Sequence, residues 1–224
     1  MNSWRQHQQE VIDTALRMEE LGLVIGTSGN VSIRAMTGEK ESLFAITPTS
    51  RAYHTLSCND IPVLDLNCNI VTGDTVPSIE ANLHAGIYRA RPDIHAVIHT
   101  HSTYASAVAV TGNDIPPILD DQVIYLGGII RCARYGLVGS KELAEYALEA
   151  LGDRCAVILR NHGAVGCGKG AQEALENCRL LEKTARIFIL AQSHGEVIKL
   201  EETAMSHDLA IYVQRQFSNS TYNG

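Results

Sequence analysis

Helical and strand-like patterns alternate along the whole of this 224-residue chain. Apolar residues recur at helical spacing over residues 5–21 and 170–194. Two short apolar runs, AVIHTH at 96–101 and AVIL at 156–159, are typical of buried strands. Because helices and strands intermix from end to end without an internal repeat or a flexible linker, the sequence predicts one layered α/β domain over residues 1–224.

The composition of the chain excludes several classes of function. Its formal net charge is −7 at pH 7, and nucleic acids and anionic membranes repel an acidic protein. No apolar run approaches the roughly 20 residues that span a bilayer, and the N-terminal segment MNSWRQHQQE is too polar for a signal peptide. The six cysteines form no Cys-x-x-Cys pair, as expected for reduced packing residues. We therefore expect a cytoplasmic protein whose partners are neither nucleic acid nor membrane.

Three histidines follow the two apolar runs. His99 and His101 are two residues apart, so on a strand their imidazoles point to the same side and can bind one ion. His162 follows AVIL, where the segment GAVGCG predicts a glycine-rich turn. Three protein ligands with a fourth position left open is the usual arrangement of catalytic zinc. A lone His-x-His pair arises by chance in many proteins, so the prediction of a divalent metal site depends on all three residues together.

A carboxylate precedes the His-x-His segment. In PSIEANLHAGIYRA the Pro-Ser pair is typical of a helix start. Glu80, His84 and Tyr88 recur every four positions, so they share one face of that helix. Glu80 is either a favourable charge in the first turn of the helix or a general base and additional metal ligand. His84 and Tyr88 are expected to pack or to orient neighbouring groups rather than to bind the metal.

Three polar turns offer donors to an anion. GTSGN at residues 26–30 interrupts two β-prone runs, which predicts a strand–turn–strand over residues 22–34. TPTS at residues 47–50 ends another predicted strand, and Ser78 adds a hydroxyl at a helix N-terminus, which suits phosphate. Each turn alone is a weak signal because such turns are common. The chain has no Walker or Rossmann spacing, which disfavours nucleotide binding.

These segments together resemble the class II aldolase/adducin family, and most closely its L-fuculose-1-phosphate aldolase type. The resemblance runs in the same order over nearly the whole chain, and its combination of motifs is far more specific than any one of them. The matching segments are GTSGNVSIR (26–34), ITPTS (46–50), PSIE (77–80), HAGIYRARPDIHAVIHTH (84–101) and LRNHGAVGCG (159–168).

The resemblance implies a three-layer α/β/α fold with a central, mostly antiparallel sheet. It implies a homotetramer with active sites between subunits. It also implies one zinc ion per subunit on His99, His101 and His162, with Glu80 as catalytic acid/base and as a ligand in the resting state. A pocket for the phosphate of a phosphorylated sugar would be formed by Gly29, Asn30, Thr49, Ser50, Ser78 and Ile79.

The sequence departs from the family pattern at several positions. Where aldolases of this type have a second serine before the glutamate, the chain has Ile79, which removes one hydroxyl from the phosphate pocket. Ser50 replaces a glycine. In DIPPILDDQVIYLGG, predicted as loops with short strands, Asp120 and Asp121 stand where the family has a catalytic tyrosine from a neighbouring subunit. Asp120, Asp121 or a tyrosine such as Tyr222, near the C-terminus, would then be the second acid/base.

The resemblance implies reversible aldol cleavage of a ketose 1-phosphate to dihydroxyacetone phosphate and a small aldehyde. Candidate substrates are L-fuculose 1-phosphate, 5-deoxyribulose 1-phosphate and 5-methylthioribulose 1-phosphate. Relatives of the same fold include a sugar-phosphate epimerase, a dehydratase and a decarboxylase, which remain alternatives. A non-catalytic adducin-type interaction domain is a further alternative, but it requires an eroded metal site, whereas all three histidines and Glu80 are present here.

Overall fold

The computed structural model describes residues 4–37 and 41–218. Two 3₁₀ turns, Tyr53–Thr55 and Cys58–Asp60, lie between the second and third strands. The helices and strands are, in chain order, α1 (Arg5–Glu20), β1 (Asn30–Thr37), β2 (Glu41–Ile46), β3 (Val63–Asp65), β4 (Ile70–Thr72), α2 (Ala81–Ala90), β5 (Ala96–Thr100), α3 (Thr103–Ala109), α4 (Asp120–Leu126), β6 (Cys132–Ala133), α5 (Lys141–Leu151), β7 (Ala156–Leu159), β8 (Gly163–Gly168), α6 (Ala171–His194) and α7 (Glu202–Ser218).

The strands form one eight-stranded sheet in the order β4-β3-β2-β1-β5-β8-β7-β6. All neighbouring strands are antiparallel except β6 and β7, which are parallel. β5 lies between β1 and β8, and all five of its residues are buried. The expectation of a mostly antiparallel central sheet is confirmed.

Helices cover both faces of the sheet. Side chains alternate along β5, so Val97 packs in a core with α2 and α5, whereas Ala96 and Ile98 pack in a core with α1 and α6. A third apolar cluster joins α3, α4 and α6 to β7. The three-layer α/β/α architecture is therefore confirmed. No helix within the described ranges combines the length and apolar character needed to cross a bilayer.

The structure corrects three sequence-based expectations. Residues 22–29 form turns rather than the first strand of a strand–turn–strand, and Ile25 is exposed. GAVGCG is the strand β8 rather than a turn, because its glycines allow close backbone packing: a Cβ at Gly163 would overlap the carbonyl oxygen of Thr100. The segment that contains Asp120 includes the helix α4, where loops with short strands were expected.

Candidate active site

Three imidazoles converge at the end of β5. His99 is the fourth residue of that strand, where it pairs with Asn30 of β1 and Val165 of β8. His101 lies one residue beyond the strand, and His162 lies in the tight turn between β7 and β8. The ring centroids are 4.7 to 5.0 Å apart, and the Nε2 atoms of His99 and His101 are 2.8 Å apart. One nitrogen from each ring lies within 4.8 Å of the other two, so the group could hold a metal ion.

The carboxylate of Glu80 faces these imidazoles. Its Oε2 lies 3.2 Å from Nε2 of His99, and its Oε1 lies 3.5 Å from Nε2 of His162. Glu80 is 4% exposed, and its Oε1 has no hydrogen-bond partner among the described residues. A buried carboxylate oxygen is costly unless it is paired, so this unsatisfied atom beside three imidazoles fits a site that takes a cation.

The turn before α2 places Glu80. The helix begins at Ala81 with Glu80 as its N-cap residue, later than the Pro-Ser start that the sequence predicts. The reason is a β-bridge between Pro48 and Pro77, after which the N–H of Ser78 donates to the Thr47 carbonyl at 3.1 Å. The extended backbone continues to Ser78, whose hydroxyl accepts a hydrogen bond from the N–H of Glu80 at 3.3 Å.

The imidazoles are neutral at neutral pH. Burial lowers the pKa of His99 to about 3, and burial, with the neighbouring His99, lowers the pKa of His162 to about 4. Burial also lowers the pKa of His101. The Nδ1–H of His99 donates to the Ala164 carbonyl at 3.0 Å, which leaves its Nε2 lone pair facing the cluster. Neutral imidazoles of this kind are suitable metal ligands.

The residues assigned to the phosphate pocket lie on neighbouring turns. The Pro48–Pro77 bridge joins the turn of Thr49 and Ser50 to the turn of Ser78 and Ile79. The third turn contains Gly29. The hydroxyl of Tyr53 donates to the carbonyls of Ser28 and Gly29, both at 2.9 Å, and so connects this turn to the segment that follows Ser50. The residues of the predicted phosphate pocket differ in solvent exposure: Ser78 is buried, whereas Ile79 is 60% exposed. Phosphate binding by these residues stays a prediction.

Gly29 and Asn30 have structural roles in addition to the predicted one. Gly29 has a φ of +75°, and a Cβ there would lie 2.6 Å from the carbonyl oxygen of His99. Asn30 is buried, its Nδ2 donates to Oε2 of Glu80 at 2.8 Å, and its Oδ1 accepts a hydrogen bond from His84. At most one N–H of the Asn30 carboxamide is left for a phosphate.

Asp120 and Asp121, the two described candidates for a second acid/base, are not part of this cluster. Asp120 is exposed at the start of α4, a helix that packs on α6 and α7. Asp121 forms an ion pair with Lys183 of α6. Tyr222 lies outside the described residues. A role for any of them in catalysis stays a prediction that involves a neighbouring subunit.

A match to a family model decides the family. The model described as "Class II Aldolase and Adducin N-terminal domain" matches residues 9–189. This chain belongs to the class II aldolase/adducin family. The resemblance seen in the sequence is thereby confirmed, and members of the family that are aldolases depend on a metal ion, for which the three histidines form a suitable group.

Aldolases of this family are similar to the chain over most of its length. The 5-deoxy-D-ribulose 1-phosphate aldolase of Bacillus thuringiensis serovar kurstaki is 33% identical over 203 residues, 91% of this chain and 93% of the relative. The L-fuculose phosphate aldolase of Escherichia coli K12 is 35% identical over 181 residues, 81% of each chain. A solved structure described as L-fuculose 1-phosphate aldolase matches with a TM-score of 0.87 and 34% identity, over 93% of this chain and 96% of the other.

These matches confirm that the chain is an enzyme, a lyase of the class II aldolase type, rather than a non-catalytic interaction domain. The contacts of Asn30 with Glu80 and His84, and of Ser32 with His84, were not predicted from the sequence. A signal was present, since polar residues alternate in NVSIR on a strand that lies inside the sheet, where apolar residues are the norm.

Proposed function

We propose that this class II aldolase reversibly cleaves a ketose 1-phosphate to dihydroxyacetone phosphate and a small aldehyde. The convergence of His99, His101 and His162 on the Glu80 carboxylate carries the proposal. The names of the relatives, an L-fuculose phosphate aldolase and a 5-deoxy-D-ribulose 1-phosphate aldolase, support the substrate class. The candidates are L-fuculose 1-phosphate, 5-deoxyribulose 1-phosphate and 5-methylthioribulose 1-phosphate.

Zinc is the proposed cofactor, with one ion per subunit on the three histidines and on Glu80 in the resting state. Three neutral imidazoles and a carboxylate are a ligand set that zinc accepts, with room for substrate when the carboxylate leaves. When bound, the ion supplies Lewis-acid chemistry that stabilises the negative charge left as the carbon–carbon bond breaks.

The carboxylate of Glu80 is the proposed acid/base at the donor carbon. In its protonated form Glu80 gives a proton to that carbon in the cleavage direction, and its carboxylate removes that proton in the synthesis direction. Asp120, Asp121 or Tyr222 of the partner subunit exchanges the proton on the oxygen of the aldehyde. The phosphate is bound by the turns that contain Gly29, Asn30, Thr49, Ser50, Ser78 and Ile79, where backbone and hydroxyl donors lie on adjacent segments.

A homotetramer with active sites at subunit interfaces is the proposed assembly. Ile79 is 60% exposed, and its backbone contacts Gly139, which follows Leu137 and Val138, 68% and 50% exposed. Apolar side chains clustered beside an active site are typical of a surface that another subunit covers. The six cysteines are free, which supports a cytoplasmic location.

The reaction is tested by the products formed from the three candidate ketose 1-phosphates. The purified protein should release dihydroxyacetone phosphate from at least one of them, and a chelator should abolish the release until Zn²⁺ is restored. An epimer, a dehydrated sugar phosphate or carbon dioxide as the product would instead identify one of the alternative reactions.

Two histidine variants test the site. His99→Ala should lose bound zinc and lower kcat at least 1000-fold, because removal of one of the three imidazoles opens the metal site. His54→Ala, which removes an exposed histidine, is the matched control and should keep both zinc and activity. Metal analysis and circular dichroism distinguish loss of the ion from loss of the fold. A fully active His99→Ala protein without metal would refute the ligand assignment.

A further inference from the structure

Two rows of side chains face each other behind the active site. Alternate residues of β1 lie on one face of the strand, and every fourth residue of α2 lies on one face of the helix. Two residues of a strand span about 6.7 Å and four residues of a helix span about 6 Å. Because the two repeat distances are similar, successive side chains of the strand can lie opposite successive side chains of the helix. All six residues are at most 5% exposed: Asn30, Ser32 and Arg34 from the strand, and Glu80, His84 and Tyr88 from the helix face.

Hydrogen bonds connect the two rows in a continuous line. Nδ2 of Asn30 donates to Oε2 of Glu80 at 2.8 Å, and Oδ1 of Asn30 is hydrogen-bonded to Nε2 of His84. Nδ1 of His84 lies 2.6 Å from the hydroxyl of Ser32, which lies 2.7 Å from the hydroxyl of Tyr88. The line starts at the catalytic carboxylate and ends two helical turns away from it.

The chemistry of the groups sets the direction of every donor. Oδ1 of Asn30 only accepts, so Nε2 of His84 must carry a proton. Burial lowers the pKa of His84 to about 3, so the ring is neutral and its Nδ1 accepts the Ser32 hydroxyl proton. The Tyr88 hydroxyl then donates to the hydroxyl or the carbonyl of Ser32, the latter at 3.0 Å. The donors of Ser32, His84 and Asn30 therefore all point along the line towards Glu80.

We propose that His84 is a positioning residue for Glu80, acting through Asn30. The Nε2–H of His84 holds the Asn30 carboxamide in the orientation that turns its NH₂ group towards the carboxylate. If the carboxamide were flipped, its oxygen would face the carboxylate oxygen and repel it. His84 thus fixes the carboxylate against the three imidazoles without contacting substrate or metal. The kinetic part of this inference rests on the proposed function.

The tautomer of His84 tests the inference without any activity measurement. In the metal-free protein, ¹⁵N NMR distinguishes a protonated ring nitrogen from a bare one, and the signals that vanish in His84→Gln identify this residue among the nine histidines. We expect a proton on Nε2 and a bare Nδ1 at pH 7. A proton on Nδ1 would reverse the direction of the line and overturn the inference.

Substitutions at His84 test its effect on the active site. His84→Leu removes the donor and should lower kcat about 10- to 100-fold with KM within about threefold, because small displacements of a catalytic group are costly. His84→Gln keeps an N–H that can reach Asn30 and should restore kcat to within about threefold of wild type. Ile87→Val, a buried apolar change on the same helix that removes no hydrogen-bonding group of the line, should lower stability modestly and leave kcat unchanged.

The spectrum of the Co²⁺-loaded protein reports the metal site without turnover. His84→Leu should retain one ion per chain and shift the visible bands, because the carboxylate no longer holds its place. His84→Gln should give the wild-type bands. Unchanged bands and unchanged kcat in His84→Leu would overturn the positioning role of His84 but would not affect the proposed function. A wild-type protein that cleaves no ketose 1-phosphate, yet shows the expected tautomer and band shift, would refute the proposed function and leave the positioning role of His84 intact.

Discussion

At position 79 the chain places an apolar side chain directly before Glu80, the carboxylate that faces the imidazoles. Ile79 is 60% exposed, so the apolar core does not require it. Its neighbour Ser78 is buried and uses its hydroxyl to accept a hydrogen bond from the N–H of Glu80. The two positions before the carboxylate therefore differ in role. Ser78 shapes the turn, whereas the side chain at 79 faces outward, where substrate or another subunit can reach it.

A hydroxyl at position 79 should strengthen phosphate binding. Ile79→Ser adds a donor where aldolases of the L-fuculose-1-phosphate type have a serine, and a new hydrogen bond contributes about 1 kcal/mol, or about fivefold in affinity. We expect KM for the preferred ketose 1-phosphate to fall about fivefold with kcat unchanged, as measured by steady-state kinetics. Ile79→Val, which adds no donor, is the control. An unchanged KM in Ile79→Ser would place the phosphate elsewhere.

At the scale of the elements, the contact between β5 and β8 determines the spacing of the three imidazoles that could hold a metal ion. His99 and His101 belong to the end of one strand, and His162 belongs to the turn that begins the other. Gly163 allows the two strands to approach, because a Cβ there would overlap the Thr100 carbonyl oxygen and lie 3.2 Å from Cε1 of His99. The spacing of the imidazoles thus depends on a residue without a side chain.

Gly163→Ala should therefore separate the imidazoles. The added methyl group forces β8 away from β5, at a cost of about 1–3 kcal/mol in the free energy of unfolding, and we expect weaker zinc binding as well. Gly170→Ala is a matched control, since a Cβ at Gly170 meets no atom within 4 Å. Urea unfolding and zinc titration measure both effects. A Gly163→Ala protein as stable and as tightly metal-binding as wild type would contradict this account.

Local periodicity explains which parts of the site could be predicted from sequence. The two-residue spacing of His99 and His101 and the four-residue spacing of Glu80 and His84 follow from strand and helix geometry alone. The partner of His84 could not be predicted, because Asn30 is 54 positions away and strand order is not a local property. GAVGCG was misassigned because glycine marks turns and close strand packing alike. The helix α4 was missed because its β-branched and aromatic residues Val123, Ile124 and Tyr125 favour strands.

At the scale of the whole molecule, the fold keeps several histidines uncharged in its interior. Burial lowers the pKa of His84 and His99 to about 3, and the pKa of His162 falls to about 4, from an ordinary value of 6.5. The unfolded chain has no such burial, so its histidines take up protons near pH 6.5. Below that pH the unfolded state binds more protons than the folded state, and folding stability falls as pH falls.

The metal-free protein should consequently lose stability between pH 6 and pH 5. Each histidine that only the unfolded chain protonates contributes about 1 kcal/mol per pH unit in this window, and its contribution is fully present above about pH 7. His84→Gln replaces one such group by an amide that does not titrate, so its free energy of unfolding should fall less steeply, by about 1 kcal/mol per pH unit. Urea unfolding at pH 6 and pH 5 measures both slopes, and each slope is independent of any constant difference in stability between the two proteins. Equal slopes would mean that His84 takes up its proton in the folded state, which would contradict a neutral ring between Asn30 and Ser32.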